Sequence, residues 1–75
     1  HAENSSPQRI ISLAPALTEE LYLLGVEDRL IANTTYCKRP PAADKKEKIG
    51  TGMKINLERI ICLKPDLVLA KAYSN

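Results

Sequence analysis

Apolar residues along this chain fall in short clusters whose spacing alternates between two periods. Arg9-Ile10-Ile11-Ser12-Leu13 is a compact, β-branched apolar run and predicts a buried strand over 9–13. Pro15 follows, a residue suited to the first turn of a helix. From Ala16 the spacing lengthens. Leu17, Leu21 and Leu24 stand at i, i+4 and i+7, which predicts a helix over 16–24 with these leucines on its buried face. Thr18, Glu19 and Glu20 place negative charge in the first turn, where the helix dipole favours it, and Gly25 is a natural stop. Leu30-Ile31-Ala32-Asn33 predicts a second strand. Asn56 reads as an N-cap, and Leu57, Ile60 and Ile61 continue at helical spacing as the face that meets the sheet. Lys64-Pro65 closes that helix near residue 63, because proline disfavours helix at the residue before it. Leu67-Val68-Leu69-Ala70 predicts a third strand.

Residues 1–8 carry no period and read as a flexible N-terminus of a mature chain; 73–75 read as a truncated tail. Between Thr34 and Ile55 no period is legible. That stretch holds Pro40-Pro41, a basic run and Gly50-Thr51-Gly52, and a patternless stretch this long inside a compact domain is often functional. Strands alternating with helices pair in parallel through right-handed crossovers. The expected fold is α/β: a three-stranded parallel Rossmann-like sheet with two helices, its first strand in the middle. Two helices do not cover both faces of such a sheet, so 9–72 reads as part of a larger α/β lobe. The carboxyl ends of the strands gather the Ala14–Ala16 turn, the Thr34–Ile55 loop and the Lys71–Asn75 tail at one edge, where open α/β sheets bind ligands.

Composition narrows the function. The chain has 75 residues and a formal net charge of +2. The excess is local, since Lys38–Lys48 carries five bases against two acids and reads as a solvated charge run. An excess that small, with only three tyrosines and neither Phe nor Trp, excludes a nucleic-acid platform. No apolar run approaches the roughly 18 residues of a membrane span. One terminal histidine and two cysteines make neither a four-ligand zinc site nor a Cys/His nucleophile, so no metal site and no enzyme is expected. Gly50-Thr51-Gly52 lacks the Gly-Lys-Ser/Thr ending of a phosphate loop and reads as a plain turn. Cys37 lies just past the second strand. Cys62 lies about 9 Å along a helix that runs away from that edge, so two free thiols are expected.

Three motifs, in order, resemble one family. Arg9 to Glu20 (Arg-Ile-Ile-Ser-Leu-Ala-Pro-Ala-Leu-Thr-Glu-Glu) is similar to the opening of periplasmic binding proteins for vitamin B12, haem and iron–siderophore complexes. Tyr36 with Pro40-Pro41 is similar to the aromatic-plus-diproline loop of the B12 branch. Asn56-Leu57-Glu58-Arg59-Ile60, then Leu63 to Ala70, completes the match. The resemblance spans about 8–72 and implies the start of the N-terminal lobe of a two-lobed binding protein. It implies capture of a metal-chelate small molecule and delivery to an ABC permease in the membrane, with no cofactor. The cargo it implies is a cobalamin-like corrinoid, haem or a ferric chelate. The location it implies is periplasmic, or extracellular and membrane-anchored. Pro15, Ala16 and Tyr36 would contact the ligand, and Glu58 would dock on permease arginines. The position of a cleft tryptophan in the B12-binding relatives falls at or near Gly52. A lone piece of such a lobe exposes apolar surface and favours self-association. The rival reading is a fragment of a nucleotide-binding α/β enzyme domain, but the turn after the first strand, Ala14-Pro15-Ala16-Leu17, has no Gly-x-Gly-x-x-Gly.

Overall fold

The computed structural model describes residues 6–51 and 53–71. In chain order the elements are β1 (Ile10–Ser12), α1 (Pro15–Leu23), a 3₁₀ turn (Glu27–Arg29), β2 (Leu30–Asn33), α2 (Pro41–Asp44), β3 (Glu47–Lys48), α3 (Leu57–Leu63) and β4 (Leu67–Leu69). The strands form one sheet in the order β3-β2-β1-β4, and every pairing is parallel. The first strand is central, as expected.

The sheet has four strands rather than three. The extra strand, β3, lies in the stretch that showed no pattern. It pairs Glu47 with Ala32 and Lys48 with Asn33. Two charged residues are too few to display a period of two, and Ile49, buried one residue later, is the lone apolar signal. The same stretch also forms α2, where Pro41 takes the first helical position and leaves no orphan N–H behind.

The two faces of the sheet are covered separately. Ile10 and Leu30 pack with Leu21 of α1, joined by Tyr22, Leu67 and Leu69. Ile11, Ala32 and Ile49 pack under Ile60 and Leu63 of α3. Ile31 is an extra residue in β2, since Ile10 pairs with Leu30 but Ile11 pairs with Ala32. This bulge adjusts β2 against β1.

Each helix keeps part of the face its spacing predicted, Leu17 and Leu21 in α1 and Ile60 in α3, and turns the rest of it outward. In α1 the buried residues are Thr18 and Leu21, whereas Leu24 is 74% exposed. Leu24 is already the C-cap, outside the helix. Thr18 goes inside because its hydroxyl donates to Ser12 Oγ at 2.9 Å, and Ser12 in turn donates to the Ala14 carbonyl at 3.0 Å. The helix starts at Pro15, so no acid lies in its first turn. Gly25 ends it as predicted, at φ 76°, with Gly25 N–H on the Tyr22 carbonyl and Val26 N–H on that of Leu21; this is the paired arrangement a left-handed glycine allows. In α3, Asn56 caps as expected, its side chain accepting from Arg59 N–H at 3.0 Å. Only Ile60 and Leu63 reach the sheet, while Leu57 and Ile61 are exposed.

The end of the sheet opposite the ligand edge is tied by one reciprocal contact. The Asp66 carboxylate accepts the backbone N–H groups of Gln8 and Arg9, each at 2.9 Å. The Arg9 guanidinium returns to the Leu63 carbonyl at 2.6 Å and also reaches that of Lys64. A cation there complements the negative end of α3. On the far side, Arg59 and Glu47 form a two-armed ion pair between α3 and β3.

The two N–H donors, Gln8 first and then Arg9, hold the Asp66 carboxyl below its ordinary 3.8. A lowered folded-state value means the contribution is complete above the ordinary value and is lost as pH falls through the folded one. Asp66→Asn should therefore destabilise most near neutral pH. In urea titrations the gap to the parent should narrow progressively below about pH 4. A gap independent of pH would show that the charge is not what holds β1.

Candidate ligand-binding edge

Four strand ends converge on one edge. After β1 comes the turn Leu13-Ala14-Pro15-Ala16, with Leu13 N–H donating to the Leu69 carbonyl at 2.8 Å. After β2, the chain makes a turn in which Cys37 N–H donates to the Thr34 carbonyl at 3.0 Å. Thr34 and Cys37 are both buried, their side chains 3.3 Å apart. With its two ends anchored inward, the turn presents Tyr36 outward, 63% exposed.

A half-buried lysine supports this turn from beneath. Lys48 Nζ donates to Asn33 Oδ1 at 2.7 Å, to the Ala43 carbonyl at 3.1 Å and to the Cys37 carbonyl at 3.2 Å. Asn33, fully buried, completes the network by donating to the Ala43 carbonyl at 3.0 Å. Lys48 is thus no part of a solvated charge run. Strand β3 turns it inward, and three acceptors satisfy an ammonium that burial would otherwise penalise.

A cavity of about 400 Å³ lies between these turns, lined by Leu13, Ala14, Pro15, Ala16, Thr34, Tyr36 and Lys71. The structure brings together the three residues singled out as ligand contacts, Pro15, Ala16 and Tyr36. Thr34 and Lys71, expected at this edge as the first residues of their segments but not singled out as ligand contacts, line it as well. Gly52, the position matched to a cleft tryptophan, lies outside the described residues. Gly50, two residues before it, is at φ 128°, and a side chain there would collide with the Lys54 carbonyl. That tight turn places the Gly50 carbonyl on Thr35 N–H at 2.9 Å, locking the 50–55 loop to the Tyr36 turn.

Glu58 stands apart from the cavity. Helix α3 begins on the same edge, because Asn56 N–H donates to the carbonyl of Ile49, one residue past β3, at 2.8 Å. Glu58 is exposed in its first turn, and among the described residues no ion pair reaches it. A second hollow of about 290 Å³ lies between α1 and Pro40, flanked by an exposed Glu19–Arg39 pair at 3.7 Å. Such a pair contributes at most about 1 kcal/mol. Cys37 and Cys62 are both free thiols, as expected, one buried and one exposed.

The chain belongs to the periplasmic binding protein family, whose model matches residues 10–74. The vitamin B12-binding protein of Photorhabdus laumondii is 49% identical over 70 residues, which are 93% of this chain and 26% of that protein. The crystal structure of the periplasmic vitamin B12-binding protein of Vibrio cholerae superposes with a TM-score of 0.79 at 45% identity, over 85% of this chain and 25% of the other. A periplasmic haem-binding protein from Pseudomonas aeruginosa gives 0.80 at 28% identity, over 84% and 23%. The chain therefore spans about a quarter of the length of the relatives it matches. The matched part is the α/β architecture with a parallel sheet expected from the sequence.

The two thiols report on the edge. Cys62 should react with Ellman's reagent at once under native conditions, and Cys37 only through local opening. Lys48→Met removes three hydrogen bonds from a charged donor and should speed Cys37 labelling about ten- to hundredfold, leaving Cys62 unchanged. Equal rates for Cys37 in parent and variant would mean that Lys48 does not hold the turn.

Proposed function

We propose that this chain supplies one wall of the cleft in which a periplasmic binding protein captures a corrinoid, haem or related metal chelate for an ABC importer. The observation that carries the reading is the shared cavity of Pro15, Ala16 and Tyr36 at the carboxyl ends of the strands. Its chemistry suits a large planar ring. Ala14, Pro15 and Ala16 give a shallow apolar floor that a flat ligand can approach closely. Tyr36 offers an amphipathic aromatic face at small conformational cost, with a hydroxyl at its edge. The turn behind it is already bonded at both ends, so little order is lost on binding. Binding and release need no covalent step. The relatives named above are binding proteins for vitamin B12 and haem, which supports the same class of cargo here.

Titration of the full-length natural protein with cyanocobalamin, haemin and a ferric siderophore, followed by tyrosine fluorescence, tests this reading. At least one of the three should saturate a single site. Tyr36→Ala should weaken that ligand by about 1.5–3 kcal/mol, ten- to hundredfold in Kd, for the loss of a buried aromatic contact. Unaltered affinity in the variant would remove Tyr36 from the cleft.

Glu58 is assigned to docking on the permease, in the membrane facing the periplasm. It stands on the ligand-edge end of α3, exposed and without an ion-pair partner among the described residues. A rim charge of this kind steers encounter with a basic surface more than it adds affinity. Glu58→Arg should leave chelate affinity intact and cost at most about 1 kcal/mol of stability through the helix dipole. It should sharply reduce ATPase stimulation and uptake by the importer. Undiminished uptake would reduce Glu58 to helix-dipole compensation.

A further inference from the structure

Lys48 lines neither hollow, yet its ammonium joins the segments that meet behind the Tyr36 wall. It donates to Asn33 Oδ1 at 2.7 Å, where β2 ends, to the Cys37 carbonyl at 3.2 Å, where the Tyr36 turn ends, and to the Ala43 carbonyl at 3.1 Å, in α2. The Asp44 carboxylate stands 3.9 Å away and offsets its charge. We propose that Lys48 is a positioning residue for ligand capture. Without touching the ligand, it holds the Thr34–Cys37 turn in the conformation that presents Tyr36 to the cavity, and so sets the rate at which the site accepts a metal chelate. This rests on the ligand-binding reading above and adds to it a residue outside the cavity.

The Tyr36 turn is tied to the rest of the chain at two places among the described residues. Cys37 N–H to the Thr34 carbonyl and Lys38 N–H to the Tyr36 carbonyl close within the turn. Thr35 N–H on the Gly50 carbonyl reaches outside it ahead of Tyr36. The Lys48 bond to the Cys37 carbonyl reaches outside it after Tyr36. An ammonium suits this post, because its three protons match three converging acceptors. Asn33, Cys37 and Ala43 are all fully buried, so an acceptor that loses the ammonium finds no water in its place. Buried acceptors without a donor carry the full cost of their desolvation, and the turn relieves that cost by swinging outward. Tyr36 then leaves its register with the Ala14-Pro15-Ala16 floor. A ligand meets a complete wall only in the fraction of molecules whose turn is closed, and its apparent affinity falls by that fraction. Once the ligand is bound, its contacts are those of the parent protein. The loss therefore falls on association and spares dissociation.

Stopped-flow binding of cyanocobalamin, haemin and ferrichrome to the full-length natural protein tests this. For each probe that binds, Lys48→Met should lower the association rate constant about tenfold, as for a turn closed in about one molecule in ten, and leave the dissociation rate constant within about twofold. Tyr36→Ala removes a contact and should act mainly on dissociation. In the Tyr36→Ala background, Lys48→Met should change Kd by less than about twofold, because no wall is left to position. Lys48→Gln keeps two amide donors and should fall between the parent and Lys48→Met. It carries the same comparison if circular dichroism and urea midpoints show Lys48→Met unfolded. Three results would overturn the inference: association as fast in the variants as in the parent, a loss that appears in dissociation, or a double variant whose effects simply add. In each of these Tyr36→Ala alone still weakens binding, so the cleft reading stands while the positioning role falls. Binding of none of the three probes would overturn the inference together with the cleft.

Discussion

Strand β1 is the part on which the rest depends. Ile10, Ile11 and Ser12 are all buried, and the strand is paired on both edges, with β2 on one side and β4 on the other. Because side chains alternate across a strand, Ile10 anchors the α1 layer and Ile11 the α3 layer. Its N-terminal end is held by the exchange between Arg9 and Asp66, which also ends α3 and starts β4. Its C-terminal end delivers the Ala14-Pro15-Ala16 turn to the cavity. Three residues thus set the distance between the clamp at one end of the sheet and the ligand edge at the other.

The ligand edge is organised by polar groups placed where apolar ones would ordinarily stand. Ser12, Thr18, Asn33 and Thr34 are all fully buried. Each has a partner: Ser12 with Thr18, Asn33 with Lys48 and Ala43, Thr34 with Cys37. A satisfied polar network has fewer alternative packings than an oily core, because each misplacement strands a buried donor or acceptor. This suits a wall that must present Tyr36 and the helix-opening turn in one fixed relation. The apolar groups, by contrast, include several that stay exposed, such as Leu57, Ile61 and Val68 on the α3 side. The network at the ligand edge is closed, while the covering of the sheet is not.

Much of this was legible in the residues. The short apolar runs at Ile10, Leu30 and Leu67 marked three strands, and helical connections between them supply the crossovers that parallel pairing needs. The N-cap at Asn56, the stop at Gly25 and the break before Pro65 are local backbone chemistry, and local chemistry is written in adjacent residues. The gathering of Pro15, Ala16 and Tyr36 at one edge followed from the same topology. The sequence motifs carried the family, and they are compact enough to survive in a chain about a quarter of its relatives' length.

What lay beyond the sequence were the particular side-chain partnerships between residues distant along the chain. Two charged residues, Glu47 and Lys48, became a strand only because β2 offered an unpaired edge. Lys48 turned from surface charge to internal clamp because Asn33, Cys37 and Ala43 converge on its ammonium. Thr18 joined the buried face because Ser12 supplied its hydroxyl with a partner, and Leu24 left it because the helix ends one residue earlier. Lys71 acquired its place in the cavity from β4 pairing with β1, which sets the end of one strand beside the turn after the other. Periodicity records which residues prefer to leave water. Which donors and acceptors meet once they have done so is decided by the packed chain, since a hydrogen bond requires two groups within about 3 Å and sequence spacing says nothing of that distance.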